Sequence, residues 1–139
     1  MSSQPSQPRQ PHLKWPLRVT QSQSDDILVL EVAGRIGQAA SAEFRDALAQ
    51  ASRRAGNQLI LDMAGVDYVS SSGIEVLQAA ASSLTASRGA LVLCRVSEPV
   101  RIAIQLAGLL DAFAIESSPE EAARRIHRQR SPSFPSPPQ

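Results

Sequence analysis

Between Leu59 and Leu77 the chain reads LILDMAGVDYVSSSGIEVL, and this stretch restricts its folding more than any other. The opening segment, Gln58–Met63, is short and mostly apolar, which suits a strand buried on both faces. The run carries Asp62 near its end, a turn at Gly65 follows, and a brief apolar patch comes next. Three serines and a glycine then open an amphipathic helix at Ser71 or Ser72. Ile74, Leu77, Ala81 and Leu84 form its core stripe, and Gly89 closes it. A two-faced buried strand needs parallel neighbours and helices over it. The same layout puts hydroxyls at a helix N-terminus, where free N–H groups and the helix dipole favour negative charge.

The pattern repeats along the chain. Leu17–Thr20 and Ile27–Ala33 read as strands, the second ended by Gly34, with polar Gln21–Asp26 of hairpin length between them. Ser41 caps a helix to about Ala55 whose apolar face is Phe44, Ala47, Leu48 and Ala51, and Gly56 lies at its end. Ala90–Cys94 is a second buried strand. Ser97 caps a helix containing Val100, Ile104 and Leu106–Ala107, with Pro99 in its first turn and Gly108 at its end. Phe113–Ile115 is a short strand, and Ser118 with Glu121 forms a capping box on a last helix that starts at Pro119. The predicted order is β-β-α-β-α-β-α-β-α, an α/β fold. Its sheet is mixed but largely parallel, with Leu59–Leu61 and Ala90–Leu93 at the centre and helices packed on it. One unpaired edge strand leaves weak homodimerisation open.

Composition bounds the domain and excludes several classes. Of 10 prolines in 139 residues, four lie in Met1–Pro16 and four in Ser131–Gln139. Both ends are also rich in serine or glutamine and too poor in apolar residues to offset ordering entropy. The expected organisation is a disordered tail over 1–16, one domain over 17–130 and a disordered tail over 131–139. A net charge of +1 gives no general field for nucleic acid. Arg124, Arg125, Arg128 and Arg130 follow Glu120 and Glu121, the order a helix dipole favours. The single cysteine, Cys94, sits in ALVLC and reads as a buried thiol. Neither a disulfide within the chain nor a Cys/His zinc set is available, so no metal and no cofactor are expected. No apolar run reaches the roughly 20 residues of a membrane span and no signal peptide is evident, so a soluble cytoplasmic protein is expected.

The serine cluster has little catalytic support. A serine nucleophile needs a base, yet His12 and Lys14 lie in the N-terminal tail and His127 in the last helix. S-S-S-G is not the G-x-S-x-G elbow of a hydrolase, and the G-x-x-x-x-G-K-[ST] phosphate loop is absent. Ser72 and Glu75 do match S-x-x-E, a capping box in which each side chain meets the other residue's N–H. No enzyme is expected; a helix cap and a modification site remain open for Ser72.

Asp62, Met63, Val66, Tyr68, Val69, Ser71, Ser72, Gly73 and Ile74 fall on the pattern D-[LM]-x-x-[VL]-x-[FY]-[IVM]-D-S-[ST]-G-[LM]. This resembles the signature of STAS domains, the module shared by bacterial anti-sigma factor antagonists and sulfate-transporter tails. The likeness extends over about Leu17–Arg130, through Gly34 and the stretch LVLCRVSEPVRIAIQLAGL. The resemblance implies a regulatory protein that binds an anti-sigma factor with a GHKL-type serine kinase domain and releases a sigma factor. Phosphorylation would fall on Ser72, with Ser71 as the neighbouring alternative, and a serine phosphatase would reverse it. Gly37, Ser70, Ser71, Ser72, Gly73, Ile74 and Glu75 are the implied partner-binding positions. The chain departs from the family's habit at three of them: aspartate is common where Ser70 and Gly37 stand, and glycine where Glu75 stands. A second reading is a STAS interaction module that serves a transporter ATPase or a scaffold without phosphorylation.

Overall fold

A computed structural model describes residues 17–130. Five strands alternate with four helices: β1 (Arg18–Ser24), β2 (Ile27–Ile36), α1 (Ser41–Arg54), β3 (Gln58–Val69), α2 (Ser71–Ala86), β4 (Ala90–Cys94), α3 (Glu98–Leu106), β5 (Ala114–Glu116) and α4 (Pro119–Arg130). The sheet order is β1-β2-β3-β4-β5; β1 is antiparallel to β2 and every later pair is parallel. Right-handed crossovers between successive parallel neighbours place α1, α2 and α3 on one face. Phe44, Leu48, Leu77, Val100 and Ile104 pack there against Leu30, Leu59, Leu61 and Leu93. On the other face Ala122, Ala123 and Ile126 of α4 cover Ile27, Val29, Ile60, Val92 and Cys94. Strands β3 and β4 are therefore buried from both sides, as their unbroken apolar runs predict.

Several boundaries differ from the sequence expectation. The polar segment after Thr20 is not loop: β1 continues to Ser24, and only Asp25 and Asp26 turn the hairpin, Asp25 at φ 59. An edge strand can carry polar side chains, and Thr20 and Ser22 both donate to the Glu31 carboxylate across the pair, at 3.0 and 3.1 Å. Gly34 does not end β2, which runs on to Ile36. Gly65 does not turn the chain but lies inside β3, at an irregularity in the β2–β3 register. Between the pairs Glu31–Asp62 and Ile36–Val69, β3 uses two more residues than β2. These are bulges, and Gly65 is required at one because a Cβ there would lie 2.6 Å from Ala33 Cβ.

The helix caps differ as well. Ser41 is the first residue of α1, after a 3₁₀ turn over Gln38–Ala40, and its hydroxyl donates to Gln38 O at 2.8 Å. Ser97 holds the position before α3, but its hydroxyl leaves the helix and donates to Val66 O at 2.9 Å, tying α3 to β3. Arg88, at φ 63, takes the left-handed position after α2, and the Gly89 N–H then closes onto Leu84 O at 2.7 Å. Ser118 caps α4 by accepting the Glu121 N–H at 3.1 Å, but the Glu121 carboxylate turns to Arg124. Phe113 is a buried residue just outside β5. The expected terminal tails lie outside the described residues.

Candidate functional site

The serine cluster sits where β3 leaves the sheet. Ser70 is extended at φ −78 and ψ 171, so it is the last residue before the helix rather than the first within it. Its N–H donates to Ile36 O at 2.8 Å, its carbonyl accepts the Ile74 N–H at 2.9 Å, and its hydroxyl accepts the Gly73 N–H at 3.2 Å. Ser70 is thus the cap of α2, which corrects the capping box expected between Ser72 and Glu75. The cause is β3: it remains paired to Val69, so the chain passes from strand to helix at Ser70, and Ser72 already has helical backbone. A residue inside the first turn cannot reach the N–H three residues on.

Capping by Ser70 frees the other two hydroxyls. Ser71 is exposed and Ser72 half-buried, and neither side chain makes a hydrogen bond among the described residues. First-turn N–H groups lack intrahelical acceptors, so an anion at this end meets donors and the positive end of the dipole. Glu75 is exposed one turn further along α2. Gly73 is buried because α2 presses onto β2 and β3: a Cβ there would meet Ile36 Cγ2 and Val69 Cγ1 at 2.8 Å each. Ile74 is buried in the main core. Gly37 follows β2 and faces the edge of the Tyr68 ring. Strand pairing between Ile36 and Val69 is what brings Gly37 beside Ser70–Gly73, 33 residues later in the chain for Ser70.

The sequence reading missed two features of this end of the molecule. Tyr68 is 41% exposed, and the Arg35 guanidinium lies 4.5 Å from its ring centroid, within cation–π range. Arg35 makes no ion pair among the described residues, so its donors face solvent over a flat aromatic base. An open groove of about 590 Å³ also runs between α2 and α3 from Ser71, Ile74 and Glu75 to Ala103 and Leu106. Leu106 is 83% exposed and Ile102 44%. Leu106 lies off the Val100–Ile104 stripe of α3, a helical-phase signal that marks it as outward-facing.

The site contains no nucleophile–base pair: the described histidine, His127, contacts Asp25 and Asp26 at the β1–β2 turn, at 3.7 and 3.3 Å. No group of three or more potential metal ligands occurs among the described residues, and no helix of the described chain is long and apolar enough to cross a membrane.

Comparison with known proteins agrees with this fold. Residues 18–122 match the family model described as the STAS domain. BtrV of Bordetella bronchiseptica, described as a candidate anti-sigma factor antagonist, is 29% identical over 107 residues, covering 77% of this chain and 92% of its own. An anti-sigma factor antagonist from Mycobacterium paratuberculosis superposes with a TM-score of 0.71 at 20% identity, over 80% of this chain and 94% of that one. The Bacillus cell-fate determinant SpoIIAA in its phosphorylated form gives a TM-score of 0.59 at 21% identity, over 78% and 99% of the two chains.

Proposed function

Since the chain belongs to the STAS domain family, we propose that it is an anti-sigma factor antagonist that binds an anti-sigma factor carrying a GHKL-type kinase domain, frees a sigma factor, and is switched off by phosphorylation of Ser72. The observation that carries this reading is the division of labour at the start of α2. Ser70 supplies the cap, so the Ser72 hydroxyl is free to accept a phosphoryl group without breaking the helix start. BtrV, similar along most of this chain, is described as a candidate anti-sigma factor antagonist, which supports the antagonist part of this reading.

The physics of the switch is local. A phosphate adds about −1.5 to −2 charges at pH 7, and the dipole and free N–H groups of α2 tolerate them. The fold survives while the contact surface changes: a dianion now lies at the start of α2 beside Glu75, next to Ser71 at the end of the α2–α3 groove. A partner docked over that groove must desolvate the charge or be repelled by it. A serine phosphatase resets the site. Exposed Glu75 also favours a second reading, because its charge opposes phosphorylation one turn away. In that reading the chain is an interaction module that docks a transporter ATPase or scaffold by the same face, unmodified.

Incubation with ATP and each GHKL-type anti-sigma kinase of the host cell, followed by intact-mass and fragment analysis, separates the two. The antagonist reading expects one phosphoryl mass on Ser72 that Ser72→Ala abolishes and Ser71→Ala does not. Partner binding without any mass gain would leave the unmodified module.

A further inference from the structure

Strand β1 forms one outer edge of the sheet, and its sequence does little to protect that edge. At the opposite edge β5 is only three residues long. β1 runs for seven, Arg18–Ser24, in unbroken register with β2. Soluble proteins blunt a long edge with proline, a bulge or several charges. β1 has no proline and no bulge, and its one charge is Arg18 at the first position.

The hairpin fixes which backbone groups of β1 point outward. A two-residue turn is closed by a pair of residues that exchange both hydrogen bonds, here Ser24 and Ile27. Alternation then bonds Ser22, Thr20 and Arg18 to β2 and turns the N–H and C=O of Val19, Gln21 and Gln23 away from it. No other backbone group among the described residues takes these up. Arg54 of α1 reaches only the Gln21 side chain, donating to its Oε1 at 3.2 Å.

We infer that β1 pairs with β1 of a second copy of this chain, antiparallel about a two-fold axis at Gln21, joining two sheets into one. This register overlaps the whole strand. It sets Gln21 opposite Gln21 and Val19 opposite Gln23, so each outward N–H meets an outward C=O. It also matches charge. Arg18 falls beside Ser24 of the second copy, next to the Asp25 of that copy's turn, and the axis repeats the contact. Arg18 makes no ion pair among the described residues, and the Asp25 side chain is 64% exposed. A parallel pairing in register would instead set Arg18 against Arg18 and Asp25 against Asp25. The net charge of +1 opposes association little. One strand pair is small against a standard interface of about 1,600 Å², so the dimer is weak.

The test is sedimentation equilibrium of the full chain between about 10 μM and 1 mM, with amide NMR over the same dilution. The mass should rise from 14.9 kDa towards twice that value. The Val19, Gln21 and Gln23 amides should shift with concentration more than those of Thr20 and Ser22. Gln21→Pro removes one outward N–H and no bond to β2, which an edge strand tolerates; it should abolish association with circular dichroism unchanged. Gln21→Ala, which keeps the N–H, should associate as the wild type does. Arg18→Glu should weaken the dimer about fivefold or more and keeps the inference falsifiable if the proline variant unfolds. A monomer throughout would overturn the pairing. So would association that survives both Gln21→Pro and Arg18→Glu, which would place the contact elsewhere. Outward amides protected from exchange at every concentration would mean that a segment of the same chain covers the edge, and would overturn it equally.

Discussion

The Ser70 hydroxyl accepts the Gly73 N–H, so replacing it with a methyl group leaves a first-turn donor without its partner. Ser70→Ala should cost about 0.5–2 kcal/mol, while Ser72→Ala, whose hydroxyl bonds to nothing described, should stay within about 0.5 kcal/mol. Urea denaturation of the two variants reads the difference directly, and the reverse order would return the cap to Ser72. Gly73→Ala should cost more than either, about 1–3 kcal/mol, because its Cβ would press at 2.8 Å on two buried side chains. At this scale the sequence was only partly legible. S-x-x-E at Ser72 is a sound local pattern, but S-x-x-G at Ser70 competes with it, and the winner depends on where β3 stops pairing. That is a non-local fact set by Ile36, 34 residues away from Ser70. The contact between Tyr68 and Arg35 was unread for the same reason, since neither residue predicts the other without the β2–β3 register.

Elements were more legible than caps, because periodicity averages over many residues while a boundary hangs on one. The predicted order of five strands and four helices holds, as does the central place of β3. What failed was the length of β3. After Met63 the buried positions fall at Val66 and Val69, a spacing of three that a strand's period of two does not predict and that reads locally as a helical turn. Bulges produce that spacing, and a glycine inside a bulge reads as a turn. The extension is what carries the chain to Ser70 and sets α2 beside α3, so the groove exists because of it. Leu106 stands at the groove with most of its surface in water, so Leu106→Glu should leave the melting temperature unchanged. If the partner seats over the groove, the same change should weaken binding about tenfold or more. Calorimetric titration with the proposed anti-sigma partner measures this, and unaltered affinity would remove the α2–α3 groove from the contact surface.

For the molecule as a whole, the sheet joins two cores of unequal size, and β3 and β4 contribute to both. Cys94 lies in the smaller core under α4, paired in register with Asp62. The sequence reading of a buried thiol is correct, but its neighbour across the strand pair was not visible in it. Burial first, then the negative charge of Asp62, push the Cys94 thiol up to about 12, against an opposing effect of Arg95. Below the unfolded value of 9.0 the thiol is neutral in both states and costs nothing. Above it the unfolded chain releases a proton that the folded chain retains. Stability therefore falls as pH rises between 9.0 and about 12, by at most about 1.4 kcal/mol per pH unit for one group. Cys94→Ala removes this contribution and substitutes a small cavity cost that does not vary with pH. The two chains should therefore differ by a constant offset up to pH 9 in urea denaturation, with the wild type declining more steeply above it. In the native state at pH 8 the thiol should also resist alkylation, since the reactive thiolate is nearly absent. Parallel curves above pH 9, or rapid alkylation of the folded chain, would mean that the smaller core opens to solvent around Cys94 and Asp62.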